Sequence, residues 1–374
     1  VGSAAAAARW LAGPTRAGPA WARRRVGPGP QQPWPAPVPS NKGGAAKWVI
    51  GAVALVAVIA VTAVVTASWT KNSSNGGGAA GGTTTSAAPS DVASANDKGP
   101  VGIITEDPSC APWNSIANTL SDIENKGWLT RDSSIPAPSW TPDIRAQYEA
   151  VGKAMKAAAD MVVPLAKMTP HRVMRELYEQ SIAYLRAYAN SIPTYTPADD
   201  GLARAASTAG NVITNICAAT SFGSAVARAS LIAPPAAPTS TAPIGDVVNA
   251  RRMFDAPDAV CPDLVPTLDQ LLTNPSFKEW ITSDPAVAVG NWPPERQALT
   301  DLVTPLMTST ADALEKLAQK SANPIVQDFI LLGVQYRRTF VKATSTYQPS
   351  DQYIYLAGQY APGILSGACT SAGR

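Results

Sequence analysis

Up to residue 46 the apolar positions follow no period. Val, Ala, Trp and Leu are scattered among Pro, Gly and Arg, so neither a helix nor a strand gains an apolar face and the segment 1–46 is expected to be disordered. The pattern then changes abruptly. Residues 48–69 read WVIGAVALVAVIAVTAVVTASW, apolar on every face and free of charge. About 20 such residues cross the hydrocarbon core of a bilayer. Trp48 and Trp69 stand at its two ends with Lys47 and Lys71 just beyond, where rings and cations favour the interface. A signal peptide has a shorter apolar stretch and would not follow so long a polar tail, so residues 47–70 are expected to form one transmembrane helix. Residues 71–103, rich in Gly, Ser, Thr and Ala, read as a flexible linker.

Beyond residue 104 apolar residues recur every three or four positions, the signature of amphipathic helices. The first helix is expected over about 111–126, with Ile116, Leu120 and Ile123 on one face. The second opens at Thr141-Pro142-Asp143, a hydroxyl cap followed by proline at the first helical position, and runs to about Met168. The third starts near Pro170 and carries Val173, Leu177, Ile182 and Leu185. The fourth opens with Thr196-Pro197-Ala198-Asp199, where the threonine caps and Asp199 answers it. No sustained two-residue alternation appears, so strands are not expected.

The same four-helix text occurs twice. Sliding the chain on itself by 152 residues superposes Trp128 on Trp280, Trp140 on Trp292, Pro142 on Pro294, Met155 on Met307 and Tyr184 on Tyr336. The register continues without a gap through Asp160 and Asp312, Arg186 and Arg338, Tyr195 and Tyr347, to Cys217 and Cys369. Cys110 and Cys261 are offset by 151, which places one insertion ahead of the first tryptophan pair. Chance does not align rare residues in this way. The sequence therefore predicts an all-α domain, a tandem duplication of an up-down four-helix bundle: repeat 1 over 104–222, a Pro/Ala-rich connector over 223–256, and repeat 2 over 257–374.

Charge adds an orientation. Residues 1–47 hold seven of the 30 basic residues and no acid, whereas the rest of the chain is net acidic. The basic excess lies on an unfolded tail beside the span rather than on a folded module, which argues against nucleic acid and for a lipid bilayer as partner. The positive-inside rule then places the tail in the cytoplasm and the helical repeats outside. Residues 31–40, QQPWPAPVPS, read first as a solvated tether and second as a polyproline II ligand. Residues 1–30 have the Ala/Gly/Pro/Arg composition of GC-rich DNA translated from too early a start.

Outside the cytoplasm cysteines pair. Four cysteines allow three connectivities. Pairing Cys110 with Cys217 and Cys261 with Cys369 is the geometrically natural one, because an up-down bundle brings the start of its first helix to the end of its fourth. Arg186 and Asp199 flank the third inter-helix turn, and Arg338 and Asp351 repeat the spacing, so Arg186–Asp199 and Arg338–Asp351 contacts are expected.

Candidate chemistry is sparse. His171 is the only histidine, position 323 of the second copy is Asn, and no G-x-S-x-G elbow occurs, so a surface role at a helix start is expected for it. Neither the cysteine spacing nor the glycines at 76–78 suit a metal or a phosphate, and no cofactor is expected. Asp199 and Asp200 adjoin, but Asp199 has a capping role, and Asp160 and Asp312 read as ion-pair members. The aromatics are better candidates. Trp128 and Trp140 bracket the first inter-helix loop, as Trp280 and Trp292 do in the second copy; they either clamp the loop or line a groove for an apolar or peptide ligand.

The basic proline-rich tail, the Val/Ala-rich span, the Gly/Ser/Thr linker and the cysteine-bearing ectodomain together resemble the proline-rich single-pass membrane proteins of mycobacteria and related actinobacteria. That resemblance implies a plasma-membrane location facing the envelope and implies no activity. The leading reading is a non-enzymatic, membrane-anchored accessory that binds another envelope or membrane protein. The second is a receptor for a small apolar ligand or lipid, and the third an envelope hydrolase. The topology has a direct test. A cysteine placed at 76–78 is expected to react with a membrane-impermeant thiol reagent on intact cells, and one placed at Gln31 is not; the reverse pattern would invert the orientation.

Overall fold

The computed structural model describes residues 91–373. The tail, the span expected at 47–70 and the first part of the linker lie outside the described residues; within them, no helix is long and apolar enough to cross a membrane. The chain forms α1 (Cys110–Glu124), α2 (Pro142–Met168), α3 (Arg172–Ser191), α4 (Asp200–Ser221) and the short α5 (Ser224–Arg228). The second copy contributes α6 (Cys261–Leu272), α7 (Pro275–Trp280), α8 (Pro294–Ala318), α9 (Pro324–Ala343) and α10 (Asp351–Ser371). These ten helices are joined by 3-10 turns and loops, and no strand occurs among the described residues.

Local chemistry sets the helix ends. The Thr141 hydroxyl accepts from the Ile144 N–H at 3.3 Å, ahead of Pro142 at the first position of α2. Thr196 and Asp199 form a reciprocal capping box, which opens a 3-10 turn (Pro197–Asp199) before α4 proper begins at Asp200. The second copy departs from the expected four helices. Its first helix stops at Leu272, and a new one starts where the Asn274 side chain accepts from Phe277 N–H at 3.2 Å and Pro275 takes the first helical position.

Within each copy consecutive long helices pack together, and the first helix returns to the fourth. Cys110–Cys217 and Cys261–Cys369 lock that return, with Cα atoms 5.2 and 5.6 Å apart. Each closes a loop of just over 100 residues, worth about 4–5 kcal/mol on the chain-entropy model. Just ahead of each first cysteine, an aspartate holds a hydroxyl two residues before the N-cap of the third helix. Asp107 accepts from Thr169, and Asp258 accepts from Ser321 at 2.8 Å.

The linker expected over 71–103 does not remain free to its end. From Asp91 the chain is a strap laid on the helices, because its Val101 and Ile104 are apolar enough to bury and its polar groups find partners. Ala93 N–H donates to Lys167 O at 2.8 Å, and Ile104 N–H donates to the Tyr336 hydroxyl of the second copy at 3.1 Å.

The two copies are fused by their fourth helices. α4 and α10 run antiparallel and make the most extensive helix–helix contact in the molecule. Their crossing is backbone on backbone. A Cβ on Gly201 would lie 2.7 Å from Ser371 N and 2.8 Å from Gly367 O; one on Gly367 would lie 2.6 Å from Ala205 N and 2.9 Å from Gly201 O. Only glycine fits at either position. One turn away, a Cβ on Gly363 would meet only the Thr208 methyl, at 3.4 Å.

This contrast is testable by urea denaturation. Gly367→Ala is expected to lose about 1–3 kcal/mol, because the two backbones must separate. Gly363→Ala should be neutral or gain up to about 1 kcal/mol from helix propensity. Equal effects at the two positions would mean that the helices do not approach this closely.

Candidate functional site

The four tryptophans proposed as binding aromatics are used inside the fold. Trp140 Nε1 donates to Ile135 O at 2.9 Å, and Trp292 Nε1 donates to Val287 O at 2.7 Å, the same bond at the same offset. The partner tyrosines repeat as well: Tyr195 donates to Ser133 O at 2.8 Å and Tyr347 to Pro285 O at 2.7 Å. Trp128 is buried, donates to the Tyr188 hydroxyl at 3.2 Å, and carries the Arg131 guanidinium 3.6 Å above its ring. Trp280 donates to Thr300 and stands edge-on to Tyr355 and Phe340. The tryptophans pin the loop between the first two long helices of each copy to the bundle.

The expected Arg186–Asp199 and Arg338–Asp351 contacts are not the ones formed. Arg186 pairs with Asp160 at 2.6 Å, and Arg338 pairs with Asp312 at 2.7 Å and Glu315 at 2.8 Å. The arginines lie on the face of the third helix that looks at the second helix, whereas α4 starts one 3-10 turn later than supposed. Asp199 is consequently turned back onto Thr196, accepting from its N–H at 2.7 Å. Asp351 accepts instead from Arg228 at 2.8 and 3.0 Å, a link from α5 to the second copy.

Asp200, the neighbour of Asp199, is held by Arg131 at 2.5 Å and Arg204 at 3.4 Å. Nearby, burial pushes the Glu124 carboxyl up to about 7 against the opposing charge of Arg131. His171 is half-buried rather than fully on the surface, and its Nε2 lies 2.9 Å from Glu106 O. It borders a shallow recess of about 140 Å³ between the strap and the start of α3. Drug-sized ligands occupy pockets of about 300 Å³ or more. Among the described residues no cluster of His, Cys, Asp and Glu is arranged for a metal.

The densest polar chemistry was not legible beforehand. It lies where α3, α9 and the strap meet. Arg172 is 2% exposed and binds Asp328 with both edges of its fork, Nε to Oδ2 at 2.7 Å and Nη2 to Oδ1 at 3.2 Å. Its remaining nitrogen, Nη1, donates to Asp97 O at 3.1 Å and Gly99 O at 3.0 Å, and its backbone N–H donates to Asp97 Oδ2 at 2.6 Å. Arg175 donates to Ser94 Oγ at 3.1 Å and Glu179 Oε1 at 3.0 Å, and reaches Glu176 Oε1 only at 3.5 Å. Glu176 is 0% exposed, and its Oε2 has no partner. Burial first, and then the facing charge of Asp328, hold its carboxyl well above the usual range.

Glu176 and Asp328 occupy equivalent positions in the two copies, 152 residues apart. The signal that could have found them is an acid recurring at this offset beside the apolar stripe of the third helix. Its partners Arg172 and Arg175 do not recur, being Pro324 and Gln327 in the second copy. Removing one partner of a buried ion pair costs about 3–5 kcal/mol. Asp328→Ala should therefore lower unfolding stability by that amount, whereas Asp263→Ala, which breaks the exposed pair with Lys320, should cost about 0–1 kcal/mol. Comparable losses in urea titrations of the two variants would contradict the burial of the seam.

A family model described as Mycobacterial ESX-1 associated protein matches residues 92–373, the two repeats and the strap together. An uncharacterized protein of Mycolicibacterium smegmatis (strain MKD8) is 44% identical over 344 residues, covering 92% of this chain and 91% of its own length. That match is longer than the described span 91–373, so it extends into the segment before it. No solved structure matches the chain. The actinobacterial resemblance of the tail and linker thus agrees with the helical repeats, and the chain belongs to the family of mycobacterial ESX-1 associated proteins.

Proposed function

We propose that this protein is a non-enzymatic accessory of the ESX-1 secretion system, anchored in the plasma membrane by residues 47–70 and presenting its helical repeats outside. The family description supports the association with ESX-1. The charge-free apolar segment flanked by tryptophans supports the anchor. The two disulfides support an extracytoplasmic site for the repeats, since such bonds persist in oxidising compartments.

One surface feature carries the binding reading. Phe222, in the turn that follows α4, and Val226, in α5, are 64% and 66% exposed, and the Phe222 ring stacks on Tyr353 at 5.2 Å. Two large apolar side chains this exposed, close together in the chain, are where we look for a protein contact. A hydrolase reading finds less support, because Asp199 and Asp200 are already engaged by a cap and by two arginines. A ligand-receptor reading is held back by the small size of the recess beside His171.

The test is photocrosslinking in intact cells with the full-length chain. A photoreactive residue at Phe222 should give adducts with a component of the ESX-1 apparatus, and one at the exposed Lys278 of α7 should not. A Val226→Glu variant should lower the yield from position 222 several-fold. Equal adducts from 222 and 278, or none from 222, would remove this surface from consideration.

A further inference from the structure

The seam between the two copies holds more acid than base. Two guanidiniums, Arg172 and Arg175, face three buried carboxyls, Glu176, Glu179 and Asp328, and Asp97 adds a fourth at the edge of the strap. The cations are already committed. Arg172 spends Nε and Nη2 on Asp328 and Nη1 on the carbonyls of Asp97 and Gly99; Arg175 is bound to Glu179 and Ser94. What is left for Glu176 is the long 3.5 Å approach of Arg175 Nη2 to its Oε1, while its Oε2 is buried without a partner and its carboxyl faces Asp328. Burial and the facing charge of Asp328 both disfavour the ionised form of Glu176, which therefore retains its proton.

We propose that Glu176 and Asp328 form a proton-held latch: with the proton in place the carboxyl pair joins α3 to α9 and, through Arg172, fastens the strap, and loss of the proton loosens both. The observation that carries this is the burial of three carboxyls around two guanidiniums, with one oxygen of Glu176 left unpartnered and Arg175 no nearer than 3.5 Å to the other. The strap is the part that responds because Arg172 connects it to the same Asp328 that faces Glu176. If residues 47–70 anchor the chain, the strap is also where the membrane-side segment enters the fold, so the latch would set how firmly the repeats are held relative to it.

The sign follows from linkage. A carboxyl whose folded-state pKa lies above its unfolded value keeps its proton in the folded protein while the unfolded chain loses it. Its contribution to stability is complete below about pH 4.3, the unfolded value, and is lost as pH rises to the folded pKa. Glu176 thus makes the seam tighter in acid, opposite to the ordinary salt-bridged carboxylate.

The experiment is hydrogen exchange by mass spectrometry on the full-length chain in detergent, from pH 5 to 8, corrected for intrinsic exchange. Protection of residues 91–107 should fall several-fold across that range. Glu176→Gln keeps the shape and removes the titration, and should hold the strap protected with no pH dependence beyond that of the other groups. Glu179→Gln frees Arg175 for Glu176 and should move the loosening to lower pH, which provides a second reading should Glu176→Gln fold poorly. The same pH slope in wild type and Glu176→Gln, no slope in wild type, or an unmoved transition in Glu179→Gln would each overturn the latch.

Discussion

The structure depends on the place where α4 and α10 touch backbone to backbone. Gly201 and Gly367 leave room for neither a methyl group nor a water between the two helices, and this contact converts two bundles in series into one body. Because the helices run antiparallel, the end of α4 lies beside the start of α10. That juxtaposition stacks Phe222 on Tyr353 and brings α5 within reach of Asp351, which Arg228 holds. The stacking of Phe222 on Tyr353 is a product of the fusion.

The fused arrangement also sets the third helices of the two copies toward each other, so that equivalent acids, Glu176 and Asp328, meet. An apolar pair would have been simpler to bury, since a buried ion pair recovers its desolvation only through good geometry and full hydrogen bonding. Here the geometry of Arg172 is good, with its fork on Asp328 and its third nitrogen on two carbonyls. Such a set specifies one register of α3 against α9 and one path for the strap. Glu176 is the member left over, and that surplus gives the seam its dependence on protonation.

Duplication has therefore preserved the scaffold and diversified the seam. The disulfides, the tryptophan-to-loop bonds and the arginine–aspartate pairs on the second and third helices recur in both copies. Between the copies one acid recurs, as Glu176 and Asp328, but its surroundings do not, and Arg172, Arg175 and His171 give way to Pro324, Gln327 and Asn323. A protein selected for two identical binding sites would keep both alike. One in which the halves must recognise each other diverges at the contact, as this chain does, and that agrees with a single accessory module offering one composite surface to a partner.

Much of this was legible in the residues themselves. Rare side chains repeating at one offset reveal the duplication, helical periodicity and caps locate α2, and an up-down bundle makes the cysteine pairing natural, because each of these follows from local spacing. What spacing along one helix leaves open is which neighbour a side chain faces. For that reason Arg186 and Arg338 turned toward the second helix of their copies rather than the fourth, and Asp199 and Asp351 found other partners. The break between α6 and α7 rested on an Asn-Pro cap that the repeat hid, since the first copy has no counterpart there. The crossing at Gly201 and Gly367, the burial of Arg172 and the meeting of Glu176 with Asp328 join residues about 150 or more apart. Only the packing of the two copies decides such contacts, because glycine in a helix and charge beside an apolar stripe carry no address for the surface they will meet.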